Sequence, residues 1–259
     1  MAYETIIVTK EEGVAILQMN RPKAMNAVNA QLLEETYVAL DELEKDPEVK
    51  AIIVTGGEKV FAAGADIKAV MGYTAFEARN FIDLVHRTIF KLEDNWKPTI
   101  AAVCGFALGG GTELALACDI RVAAENATFG LPEINLGIYP GGGGTQRLPR
   151  IVGLGYAKEL IFTGDFFDAK KAKEMGMVNY VVPADQVMET AMKLAKKLAK
   201  KPPLAMKLAK SAVNNSMNTD IKTGCRLEQE GWAMLFASED QKECMGAFAE
   251  GRKATIKGK

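Results

Sequence analysis

Histidine is almost missing from this chain, with His86 the only one in 259 residues. It falls in the helical pattern Phe81-Ile82-Asp83-Leu84-Val85-His86, where a packing role is expected. Serine is nearly as scarce: Ser211, Ser216 and Ser238 stand alone, none of them in a G-x-S-x-G setting. These shortages exclude a serine–histidine triad and a histidine-ligated metal site. The four cysteines, Cys104, Cys118, Cys225 and Cys244, show no C-x-x-C spacing, which predicts reduced thiols in a cytoplasmic protein. No G-x-G-x-x-G and no G-x-x-x-x-G-K-[ST] occurs among the 24 glycines, so the usual nucleotide cradles are absent as well. The longest uncharged run, Pro98 to Thr112, is too short and too glycine-rich to span a bilayer. The first twelve residues hold no basic stretch followed by an apolar one, so no secretion signal is expected. A net charge of −1 gives no global pull toward nucleic acid or an anionic membrane.

What is present is a pair of glutamates in apolar, glycine-rich settings. Glu113 follows Gly109-Gly110-Gly111-Thr112, and Glu133 follows Phe129-Gly130-Leu131-Pro132. Burying an unpaired carboxylate is costly, so such placement calls for a reason. Two carboxyl groups at one site can take one proton off and put another on. Gly109-Gly110-Gly111 follows an apolar strand-like run and opens a short helix, which presents unpaired amides. A second turn, Phe61-Ala62-Ala63-Gly64-Ala65-Asp66, also follows a strand and can supply another amide. Two convergent amides make an oxyanion hole, each donor contributing about 3–4 kcal/mol to a charged transition state. Glu113, in the first turn of its helix, is expected to stay ionised. Glu133, flanked by Leu131-Pro132 and Ile134, is expected to hold its proton through desolvation and its neighbour's charge. The four-glycine turn in Pro140-Gly141-Gly142-Gly143-Gly144-Thr145 fits close approach to a ligand or water, or simply a turn before the helix at 145–151.

Strand-like runs at 6–8, 14–19, 51–55, 99–103 and 120–123 alternate with helical patterns at 31–43 and 75–92, which predicts an α/β fold of repeated β-β-α units. From about Asp185 onward only helical periodicity remains. Residues 1–184 are therefore expected to form the catalytic core, and 185–259 a helical region for assembly and active-site capping. Seven lysines between Lys193 and Lys210 could mark a nucleic-acid-binding helix. Their spacing against Leu194, Leu198, Met206 and Leu208 is that of a solvated amphipathic face, and no aromatic residues interleave.

Several long segments resemble the enoyl-CoA hydratase (crotonase) family. They are Asn20-Arg21-Pro22-Lys23-Ala24-Met25-Asn26-Ala27, Phe61 to Ile67, Gly105 to Ala115, and Phe129 to Leu148, and the likeness runs on to Ala247-Phe248-Ala249-Glu250. The resemblance implies a crotonase-like spiral of β-β-α units with a helical C-terminal region that builds homotrimers, commonly paired into homohexamers. It implies an acyl-CoA thioester substrate, no metal and no cofactor beyond the substrate's own coenzyme A. By similarity, the amides of Ala65 and Gly110 hold the thioester oxygen, Glu113 activates water, Glu133 protonates Cα, and the amide of Gly141 places the water. Lys23, Ala24, Ala63, Ala65, Asp66, Ile67, Lys68 and Phe248 match segments that line the coenzyme A site. Possession of both glutamates points to a hydratase, the alternative being a Δ3-Δ2 enoyl-CoA isomerase or a dual hydratase/isomerase, while the near-neutral charge sets back an RNA-binding relative. Gly251 stands where relatives often carry a lysine toward a neighbour's coenzyme A, and Arg252 or Lys253 is the available substitute.

Overall fold

The first hairpin sets the edge of the main sheet. In the computed structural model, which describes residues 3–259, β1 (Ile6–Glu11) and β2 (Val14–Met19) are joined by Glu12 and Gly13, both at positive φ (46° and 80°). Two left-handed residues in succession give the tight turn whose twist suits paired antiparallel strands. Next come α1 (Ala30–Lys45), β3 (Ala51–Thr55), β4 (Val60–Ala62), α2 (Ile67–Val70) and α3 (Ala75–Glu93). Asn29 caps α1 by accepting from the Leu32 amide, and Thr74 with Glu77 forms a capping box on α3. After them come β5 (Thr99–Val103), β6 (Phe106–Leu108), α4 (Gly110–Ala117), β7 (Ile120–Ala124) and β8 (Thr128–Gly130). The chain continues through α5 (Gly144–Val152), α6 (Leu154–Thr163), β9 (Phe166–Asp168), α7 (Ala169–Glu174) and β10 (Tyr180–Val182). It ends in α8 (Val187–Ala199), α9 (Pro203–Asn215), α10 (Ile221–Leu235) and α11 (Glu239–Ala249).

The strands make two sheets, ordered β1-β2-β3-β5-β7-β10 and β4-β6-β8-β9. Each of the pairs β3–β4, β5–β6 and β7–β8 places its first strand in the large sheet and its second in the small one. The chain therefore climbs as a spiral, as the β-β-α reading expected. Every residue of β3 and β5 is buried, which suits parallel strands covered on both faces. α8 covers that sheet with Val187, Ala191 and Ala195, while α9 is tied to the core through Lys210 to Asp119 (2.8 Å) and Asn214 to the Glu93 carbonyl (3.2 Å). α10 packs on α9 and leaves Ile221, Leu227, Trp232 and Met234 exposed. No helix among the described residues is long and apolar enough to cross a membrane.

The small sheet positions the site. β4 and β6 run parallel, so the chain leaves both at the same end, β4 into the Ala63–Asp66 turn and β6 into Gly109 and α4.

Candidate active site

α4 opens at the glycine run, as expected of Gly109-Gly110-Gly111. Gly109 turns the chain into it at φ 49°, and Gly110 is its first residue. The helix is fixed at both ends. Thr112 Oγ1 lies 2.5 Å from the Ala107 carbonyl oxygen and 2.9 Å from that of Gly130, pinning the first turn to β6 and β8. Buried Arg121 donates to the carbonyls of Ala115, Leu116 and Cys118, a cation where the helix dipole is negative. The opposite end is left with amides to offer.

Gly110 lies against the Ala63–Asp66 turn, a Cβ built on it falling 3.9 Å from the Ala65 nitrogen. That turn is held by Val28, whose amide donates to Gly64 (2.7 Å) and whose carbonyl accepts from Asp66 (2.8 Å). Ala65 sits between those two bonds, opposite Val28 in an isolated β-bridge. Among the described residues, neither the Ala65 amide nor the Gly110 amide donates to a protein acceptor. Buried Asn26, at φ 55°, donates to the carbonyls of Gly56, Val60 and Phe61 and so braces β4, the strand that leads into this turn.

Glu113 is 3% exposed. Its Oε1 accepts from the amides of Gly142 (2.8 Å) and Gly144 (2.7 Å), and its Oε2 takes no hydrogen bond from the described residues. Burial pushes its carboxyl above the usual range, against the pull of those two amides and of the Arg147 charge. This corrects the expectation that its own helix start supplies the stabilisation. Its stabilising donors come from the Gly142–Gly144 loop, and desolvation outweighs them.

Glu133 belongs to a 3-10 turn, Pro132–Leu136, that follows β8. Its Oε1 lies where a Cβ on Gly109 would approach to 2.8 Å, so the positive φ and the acid both require glycine there. Its Oε2 is buried without a partner among the described residues. Burial pushes Glu133 up to about 7, opposed by its own backbone amide and reinforced by the Glu113 charge. Of the two, Glu113 has amide donors from another loop, whereas Glu133 Oε2 has no partner among the described residues, so the charged form is the better supported at Glu113. The direction expected for Glu133 therefore holds.

Most of the other singled-out residues gather on the same side. The Ala63 amide donates to the Met25 carbonyl (3.1 Å), which places Lys23 and Ala24 beside the Ala63–Lys68 segment. Arg21 joins Asp66 at 3.0 Å, while Ile67 and Lys68 are exposed on α2. Gly141 faces Ile82 of α3, whose Cδ1 would meet a Cβ there at 2.8 Å. Phe248 stands apart. It is 89% exposed on α11, whose side chains, beyond the helix cap, bond only within the helix and to residues 252–258 among those described. Arg252 is occupied by Glu243 and Glu250, which among the described residues leaves Lys253 as the cation near Gly251 without an ion pair. Nothing in the local sequence marked Asn26 as a brace, Gly142 and Gly144 as donors to Glu113, or Arg147 behind them. No group of three or more His, Cys, Asp or Glu side chains among the described residues could hold a metal ion.

Residues 9–259 match the family model described as enoyl-CoA hydratase/isomerase. A crotonyl-CoA hydratase of Syntrophomonas wolfei is 49% identical over 257 residues, covering 99% of this chain and 99% of that protein. A short-chain-enoyl-CoA hydratase of Clostridium acetobutylicum is 48% identical over 254 residues, covering 98% of this chain and 97% of that protein. The crystal structure of an enoyl-CoA hydratase from Bacillus anthracis superposes with a TM-score of 0.95 at 41% identity, covering 99% of this chain and 100% of that one. With the spiral of β-β-α units and the two carboxyl groups beside two unbonded amides, this places the chain in the enoyl-CoA hydratase/isomerase family.

Proposed function

We propose that the chain adds water reversibly across the double bond of a short-chain trans-2-enoyl-CoA, giving the (3S)-3-hydroxyacyl-CoA, with Glu113 as base and Glu133 as acid. One observation carries the division of roles. Glu113 shares its charge with two loop amides, whereas Glu133 is buried with an unpartnered oxygen. The amides of Ala65 and Gly110 receive the thioester oxygen and stabilise the enolate as charge moves onto it. Glu113 Oε2 takes a proton from water as its oxygen bonds to Cβ, and Glu133 delivers a proton to Cα on the same face. The Gly141 amide places that water.

Lys23, Ala24, Ala63, Asp66, Ile67 and Lys68 form the coenzyme A flank, and the reaction needs no cofactor beyond the substrate's own coenzyme A. Phe248 fits such a role only from a neighbouring subunit. The apolar side chains exposed on α10 and α11 support assembly into a homotrimer or a pair of trimers. In this reading residues 185–259 serve assembly and capping, with α8 also covering the large sheet, and residues 1–184 serve catalysis. Steady-state hydration across a crotonyl- to dodecenoyl-CoA series tests the substrate class. The expected kcat/KM is greatest for crotonyl-CoA and falls with chain length. A maximum at dodecenoyl-CoA would contradict the short-chain reading. Isomerisation of a 3-enoyl-CoA faster than hydration of crotonyl-CoA would contradict the reaction.

A further inference from the structure

The Gly142 and Gly144 amides can serve Glu113 only if their loop is held still. Glycine-rich backbone does not hold itself, because it has many accessible conformations to lose. Gly142 is gripped from both ends: its amide donates to Glu113 (2.8 Å) and its carbonyl accepts from Arg147 Nη1 (3.1 Å). The rest of the Arg147 fork engages Glu93, the last residue of α3, through Nε to Oε1 (3.1 Å) and Nη2 to Oε2 (2.5 Å). The guanidinium also lies over the Phe90 ring, 5.3 Å from its centroid. Asn214 of α9 donates to the Glu93 carbonyl, so the anchor is tied from the C-terminal side too.

A buried ion pair is a poor stabiliser compared with apolar packing, because desolvation offsets its attraction. A bidentate arginine does fix geometry. We propose that Arg147, anchored by Glu93, is the positioning residue for the general base, clamping the Gly142–Gly144 loop so that two amides meet the Glu113 carboxyl. This rests on the hydratase reading above. It adds a residue that touches neither substrate nor reacting atoms. The charged and titratable groups facing the pair are Asp94 beside Glu93, Lys210 of α9, His86 and Arg150 along the adjoining cavity, and the Glu113 carboxyl.

The test is hydration of crotonyl-CoA against pH by Arg147→Gln, Arg147→Lys, Glu93→Gln and Glu113→Gln. Arg147→Gln is expected to lose kcat on the order of 10- to 100-fold, with KM within about threefold of the parent. Its acid limb moves to higher pH, because removing the arginine charge makes Glu113 harder to ionise. Arg147→Lys keeps the charge and loses the fork. It recovers part of kcat with the acid limb at the parental position. Glu93→Gln lowers kcat without moving the acid limb upward, since it removes a negative charge.

Arg147→Gln with kcat within about threefold of the parent overturns the proposal. So does a loss in Arg147→Gln that leaves the acid limb unmoved. If Arg147→Gln does not fold, parental kcat in Glu93→Gln overturns it instead. Inactive Glu113→Gln beside fully active Arg147→Gln defeats only this inference, whereas active Glu113→Gln defeats the hydratase mechanism itself.

Discussion

Glu113→Gln and Glu133→Gln should each lower kcat for hydration of crotonyl-CoA by a factor on the order of 10² or more. The substitutions keep shape and change only proton chemistry. At position 113 the glutamine carbonyl oxygen can still accept from the Gly142 and Gly144 amides, so the loop and α4 stay in place. What it cannot do is take a proton from water. At position 133 the amide removes the proton donor, leaving the buried pocket beside Gly109 filled by a group of equal size. KM should stay near the parental value, because neither side chain is assigned to the coenzyme A flank. The double variant should be little worse than either single one, since the two groups serve one concerted step. Steady-state rates on folded protein, checked by circular dichroism, decide this. Near-parental turnover in both single variants would sink the assignment.

Gly142→Ala should cost nearly as much without touching a carboxyl group. A Cβ at this position falls 2.5 Å from Glu113 Oε2 and 3.0 Å from Ile89 Cδ1, and Ile89 belongs to the packed face of α3. Something must move, and Oε2 is the atom that no described residue holds by a hydrogen bond. Displacing a reacting atom by about 1 Å can cost on the order of 10²-fold in rate, and kcat should fall by that order. Gly155→Ala is the matched control. It lies in α6, a Cβ there meets nothing within 4 Å, and its turnover should stay within about twofold of the parent. Parental activity in Gly142→Ala would show that the loop yields without disturbing the base.

What could be read in advance followed the length over which a pattern is written. β3 and β5 were visible because five consecutive buried residues make a continuous apolar run. β4, β6, β8 and β9 have three residues each, too few for any period, and they form the sheet that carries the site. The two glutamates were legible because charge is rare in such apolar sequence. Their surroundings were not. The donors to Glu113 lie 29 and 31 positions away, and Arg147 meets Glu93 across 54. Local reading therefore assigned the stabilisation of Glu113 to its own helix start, when folding supplies it from another loop against the cost of burial. Residues on α11 carry no local sign of what they meet, because among the described residues the α11 side chains bond, beyond the helix cap, within their own helix and to the tail that follows.

The central claim is that two buried carboxyls divide their protonation, Glu113 ionised and Glu133 neutral. The pH dependence of kcat/KM for crotonyl-CoA measures it directly. Activity requires the Glu113 proton off, so the rate falls toward acid as that group protonates above the ordinary carboxylate range. Activity requires the Glu133 proton on, so the rate falls again toward base through about pH 7. A bell with its basic limb near 7, lost in Glu133→Gln, is the predicted result. A parental profile that stays flat through pH 7 would contradict it.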